Sequence, residues 1–165
     1  MARIRLIGDE DWTAFRDIRL RSLLDTPDAF GSTYGEESTA SENAWRDWAA
    51  GRWRNGTAAV FLAEDEGRAV GTATGAAYDA APGEAHVYAM WVAPDARGAG
   101  VGRALLDAVA RWARDRGDSR LQLQVTETND PARAFYGACG FIETGERVPL
   151  REGSELEVHV LAVDL

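Results

Sequence analysis

The sequence predicts a mixed α/β (α+β) fold, a central and mostly antiparallel sheet flanked by helices in the order β-α-α-β-β-β-α-β-α-β-β. Three observations carry this. Three strand-like runs in mid-chain, residues 58–64, 69–78 and 85–92, are joined by short turns, as in an antiparallel meander. Around them lie segments with apolar residues at helical spacing, opened or closed by capping residues. No repeat, low-complexity tract or linker divides the chain, so residues 1–165 are expected to form one domain.

Each element has its own signal. Residues 2–7 alternate as a short first strand. Asp9 caps a helix that carries Trp12, Phe15, Ile18 and Leu23 towards a core. The stretch 26–38 holds Pro27, Gly31, Gly35 and small polar residues, and reads as a loop. Thr39-Ala40-Ser41-Glu42 has the form of a capping box and opens a second helix bearing Trp45 and Trp48, which Gly51 ends. The meander follows, turning at Asp65-Glu66-Gly67-Arg68 and again at Pro82-Gly83. Pro94 breaks its last strand, and a Gly-rich loop opens a helix to about Arg116, with Leu105, Leu106, Val109 and Trp112 on its apolar face and Gly117 as C-cap. Leu121-Gln122-Leu123-Gln124-Val125 alternates as a strand. Asn129 or Asp130 caps the next helix, with Pro131 at its first position and Gly140 as its stop. Residues 141–150 and 156–161 close the chain as a hairpin around Glu152-Gly153.

Composition excludes several classes. At 45% hydrophobic and 27% charged, the chain can bury one substantial core. A net charge of −9 argues against nucleic acid as a partner. No apolar run approaches the ~18 residues of a membrane span, and Met1-Ala2-Arg3-Ile4-Arg5-Leu6 lacks the apolar core of a secretory signal. A cytoplasmic location without a membrane partner is therefore expected. The single Cys139 rules out an internal disulfide and reads as a small buried filler, and two histidines make a zinc site implausible; no metal is expected. All 18 basic residues are arginine, which with abundant Ala and Gly points to a high-GC bacterial genome. It also excludes a Schiff-base lysine and a Walker loop.

The segment Arg97-Gly98-Ala99-Gly100-Val101-Gly102-Arg103 lies between a strand and an amphipathic helix. Helix-start amides and alternating glycines suit a diphosphate there. From Pro94 to Arg120 the chain carries six Arg and four Asp, a net of +2 within an acidic protein. A dinucleotide fingerprint starting at Gly98 would need glycine where Arg103 stands.

At this point the sequence resembles the GNAT superfamily of acyl-CoA N-acyltransferases. Residues 97–102 fit that family's (Gln/Arg)-x-x-Gly-x-(Gly/Ala) signature, and a second block fits about 30 residues later: Asn129, Ala132, Ala134-Phe135-Tyr136 and Cys139-Gly140-Phe141. The resemblance implies the GNAT fold and an acetyl-CoA-dependent N-acetyltransferase acting on a primary amine, with acetyl-CoA as co-substrate. It implies that the loop from Arg97 through Gly98, Ala99, Gly100, Val101, Gly102 and Arg103 holds the CoA diphosphate. The main chain of Met90, Trp91 and Val92 would pair with the pantetheine arm where their strand splays from its neighbour. Asn129 and Ala132 would line that arm, and Tyr136 would point its hydroxyl at the sulfur.

The base is less determined. His86 falls where several family members carry a catalytic Glu, and by period-two geometry it shares a strand face with Tyr88, Met90 and Val92. A packing histidine is the alternative; Glu84 and Glu127 are fallback bases, and His159 alternates outward with Glu157. Tyr34, Trp45, Trp48 and Trp53, with Glu36 and Glu37, could wall an acidic, aromatic acceptor cleft favouring a cationic amine. Expected partners are acetyl-CoA and an amine acceptor, a small molecule by preference, with a homodimer left open. The alternatives are a protein N-terminal or side-chain acetyltransferase, or a non-catalytic acyl-CoA-binding sensor domain.

Overall fold

A computed structural model describes residues 1–53 and 55–165. The first strand, β1 (Arg3–Leu6), leads into α1 (Trp12–Asp25), whose buried face is Phe15, Ile18, Arg19, Ser22 and Leu23. That spacing is the apolar stripe of a helix seated on a core, with one arginine inside it.

The stretch read as a loop contains a one-turn helix, α2 (Tyr34–Glu37). Its signal is a capping box that the surrounding glycines obscure: the Thr33 hydroxyl accepts from the Glu36 amide (3.3 Å), and the Glu36 carboxylate accepts from the Thr33 amide (2.8 Å). The box expected at residues 39–42 does not form. In α3 (Glu42–Ala49) the cap is Ser41, whose hydroxyl accepts from the Ala44 amide (3.2 Å), so Glu42 is the first helical residue and stands too early to reach back. A two-residue strand, β2 (Arg52–Trp53), was too short to announce itself.

The meander is as expected: β3 (Gly56–Asp65), β4 (Arg68–Tyr78) and β5 (Glu84–Val92) pair antiparallel in sequence. It continues through α4 (Val101–Arg116), β6 (Arg120–Thr126), α5 (Asp130–Ala138), β7 (Ile142–Pro149) and β8 (Glu157–Asp164). Asn129 is the cap of α5, which puts Pro131 at the second helical position. The sheet order is β1-β3-β4-β5-β6-β8-β7, with β2 also on β3. Among the described residues only β5 and β6 pair parallel, and α4 is their crossover.

Both faces of the sheet are covered. Val60 and Leu62 of β3 pack with Ile18, Leu23 and Trp45 under α1 and α3; Phe61 and Ala63 pack with Leu105 and Val109 of α4. No helix among the described residues is long and apolar enough to cross a membrane.

Candidate active site

The glycine loop leaves β5 through a single helical turn, Pro94–Ala96, and enters α4. Gly98 (φ +79°) and Gly100 (φ +83°) are left-handed, and a Cβ at either would meet no protein atom within 4 Å. Glycine is required there by dihedral, and the space beside it is open to a ligand. The first helical bond runs from the Ala104 amide to the Gly100 carbonyl (3.0 Å), so the amides of Val101, Gly102 and Arg103 precede the ladder and carry the positive end of the helix dipole. Gly102 serves closeness: a Cβ would come 3.3 Å from Phe135 and 3.5 Å from Met90. These residues fit a diphosphate.

Arg97 does not present its guanidinium to that site. Its Nε donates to the Val92 carbonyl (2.9 Å) and its Nη2 to Asp25 (2.7 Å), the carboxylate oxygen that also accepts from the Trp91 indole (2.9 Å). The Trp91 N–H, aided by Arg97, holds the Asp25 carboxyl below the usual range. Arg97 thereby pins the loop to the end of α1. Arg103 bonds Asp107 (3.3 Å) and approaches the sulfur of Cys139 (3.7 Å), which is half-buried and packs against the edge of the core rather than inside it.

Beside the loop the sheet opens. Strands β5 and β6 pair only through Glu84–Arg120, Ala85–Leu121 and His86–Gln122. Above these, β5 carries a bulge against β4: Thr74 faces Tyr88, yet Thr72 faces Trp91, and Ala89 takes φ +51°. The extra residue reverses the alternation. His86 and Tyr88 lie with Tyr78 and Trp53 on the α3 side, whereas Met90 and Val92 pack into the α4 core and Trp91 into the α1 core. The single face expected for residues 86, 88, 90 and 92 is thus broken.

A cavity of about 400 Å³ occupies the split and is lined from both faces. Met90, Asn129, Ala132 and Tyr136 line it on the α4–α5 side; Phe30, Trp45, Trp48 and Trp53 line it towards α1 and α3. The Asn129 carbonyl oxygen caps α5 at the Ala132 amide (3.3 Å), leaving its NH₂ group to donate elsewhere. Tyr136 is buried edge-on to Phe135 and Phe141, and burial pushes its phenol pKa up, so it stays protonated.

The remaining candidates separate. His86 does not line the cavity. Its Nε2 lies 3.2 Å from Glu84, its Nδ1 lies 3.0 Å from the Gln122 amide nitrogen, and Tyr88, which does line the cavity, stacks on it at 5.9 Å. Burial lowers its pKa, opposed by Glu84. Glu84 itself is shared between His86 and Arg120 (3.7 Å), and Glu127 accepts the Glu157 amide (3.0 Å) away from the cavity. His159 is buried, not outward, and bonds Glu143 (3.1 Å), because β8 lies inside the sheet between β6 and β7. Tyr34, 41% exposed, opens α2 and does not line the cavity. The acidic cleft is corrected as well: Glu36 is spent on the α2 cap, and Glu37 accepts Nε and Nη2 of Arg19 (both 2.9 Å). Arg19 was missed, although an arginine among Phe15, Ile18 and Ser22 on one helix face was a visible signal. Among the described residues, no group of three or more His, Cys, Asp or Glu is placed to hold a metal.

Comparison with known proteins bears on this geometry. Residues 12–141 match the family described as Acetyltransferase (GNAT) family. A mycothiol acetyltransferase from Thermomonospora curvata is 32% identical over 131 residues, covering 79% of this chain and 40% of that protein. The chain thus spans two-fifths of that relative's length. A streptothricin acetyltransferase from Streptomyces lavendulae is 36% identical over 104 residues, 57% of this chain and 55% of its own. The Salmonella typhimurium protein yncA, solved with its cofactor acetyl-CoA, shares the fold at TM-score 0.80 and 22% identity, covering 100% of this chain and 94% of that one.

Proposed function

Since this chain belongs to the GNAT acetyltransferase family, we propose that it transfers an acetyl group from acetyl-CoA to a small-molecule amine, by direct attack in a ternary complex. One observation carries the reading: a left-handed glycine loop at a helix start stands beside a split between parallel strands, and one cavity is lined from both faces of that split. The loop amides from Gly98 to Arg103 would hold the diphosphate. The main chain of Met90, Trp91 and Val92, past the last β6 partner, would pair with the pantetheine arm as an added strand. Asn129 would donate to that arm. A cavity of about 400 Å³ walled by aromatic rings suits a small acceptor better than a protein surface.

In the reaction the neutral amine nitrogen attacks the thioester carbonyl; a C–N bond forms and the C–S bond breaks. Sulfur leaves as thiolate, to which the protonated Tyr136 hydroxyl would donate a hydrogen bond, and the nitrogen gives its proton to water on the acceptor side. His86 has no direct part in this route. The test is calorimetric titration with acetyl-CoA, followed by thiol release across a panel of small amines. Binding with amine-dependent release supports the reading. Binding without release from any amine makes the protein an acyl-CoA sensor, and release with peptides alone makes it a protein acetyltransferase.

A further inference from the structure

We propose that the acceptor carries a carbonyl oxygen, in a carboxylate or an amide, a few bonds from its amine, and that Arg19 receives it. This rests on the acyl-transfer reading above. Arg19 and Glu37 are the charged residues among the described cavity lining. Arg19 is 8% exposed, lies 4.7 Å over the Phe30 ring, and is fixed from the other side by the two bonds to Glu37. Those bonds use Nε and Nη2. Its Nη1 is buried with no hydrogen-bond partner among the described residues, and so are the indole nitrogens of Trp45 and Trp53, two further lining residues.

Three buried donors without acceptors are costly to leave unmade, and they select a ligand that brings lone pairs. An ammonium brings none, and the neutral amine's single pair is committed to attack. A carbonyl oxygen brings two lone pairs and a carboxylate more. No free anion stands ready for a cationic group, because Glu37 is neutralised by Arg19. The rest of this wall, Phe15, Phe30 and Trp48, suits an apolar side chain on the same acceptor.

The probes are L-phenylalanine, L-phenylalaninamide and phenethylamine, which share the ring and the amine but differ in the carbonyl. With wild-type protein, one or both carbonyl-bearing amines should exceed phenethylamine in kcat/KM by at least about tenfold, since a site built for a hydrogen bond rejects the analogue lacking it. Preference for the acid or for the amide identifies the source of the oxygen. In Arg19→Met/Glu37→Leu, which removes the buried pair together, that ratio should fall to within about twofold. Acetyl-CoA titration reports whether the variant is folded. With CoA in place of acetyl-CoA there is no turnover, and the Trp45 and Trp53 indole N–H resonances should shift with the carbonyl-bearing probes more than with phenethylamine. Equal turnover of all three probes, or neither turnover nor indole shift with any, overturns the inference while acetyl-CoA binding and release with other amines leave the acyl-transfer reading standing. Failure to bind acetyl-CoA overturns both.

Discussion

The role proposed for Tyr136 rests on what surrounds it: two phenyl rings and a cavity, with burial the main influence on its phenol. Burial raises its pKa, so it stays protonated and can donate a hydrogen bond to the leaving thiolate, but it is too weak an acid to hand its proton over. A thiol titrates near about 8.5 and leaves readily, so that hydrogen bond is worth less than the 10²-fold or more of a demanding proton transfer. Tyr136→Phe should lower kcat about tenfold and leave the acetyl-CoA KM within about twofold, measured by thiol release. A change under twofold in both would reduce Tyr136 to packing. His86 makes the opposite case. Its ring is satisfied by Glu84 and Gln122 and stacked behind Tyr88. His86→Ala should therefore leave the shape of the kcat/KM–pH profile unchanged, following the acceptor's own ionisation. Loss of a limb below about pH 6.5, the ordinary histidine range, would restore His86 as the base.

At the scale of elements, long periodic segments were legible and short or irregular ones were not. The meander and the α4 stripe follow from periodicity and the loop from glycine placement, whereas the block from Asn129 to Phe141 is carried by the family resemblance. The Ala89 bulge does not, because one extra residue leaves no mark on an apolar run, yet it decides which face each β5 side chain joins. Helix α2 was hidden for a similar reason: Thr33 and Glu36 make its box across Gly35, which propensity counts against a helix. Arg19 and Glu37 come together from two elements, α1 and the short α2, and the sequence of the second reads as loop. The glycine loop allows a prediction at this scale. Gly100 is left-handed with open space around it, so Gly100→Val strains the α4 entrance by about 1–3 kcal/mol without colliding with the protein. Calorimetry should show acetyl-CoA affinity down at least tenfold, with the melting temperature lower by about 2–12 °C and unfolding still cooperative. Wild-type affinity in that variant would remove the loop from the binding site.

At the scale of the whole molecule, two electrostatic effects oppose each other as pH falls. The chain carries −9 at pH 7 and has a pI near 4.7, so mild acidification relieves self-repulsion. Against this, carboxylates tie separate elements together. Arg5 of β1 bonds Glu64 of β3 (2.7 Å) and pairs with Asp11 ahead of α1 (2.9 Å), lowering both pKa values; Asp25 joins α1 to Trp91 and the glycine loop. A carboxyl with a depressed pKa in the fold contributes stability that is complete above its unfolded value, about 4, and is lost as pH drops through the folded one. Burial of His86 lowers its pKa, so the unfolded chain takes up that proton first and stability erodes from about pH 6.5 downward. One histidine opposes a relief that builds as ordinary surface carboxylates take up protons towards the pI, so relief should at least balance it until the paired carboxylates with lowered pKa values protonate. The urea midpoint at low salt should therefore be at least as high at pH 5.5 as at pH 7.5, then fall steeply below about pH 4. Added salt should raise it at pH 7.5, where repulsion is screened, and leave it nearly unchanged at pH 5. A midpoint declining steadily from pH 7.5 to 5.5, insensitive to salt, would mean that the buried histidine outweighs the surface charge.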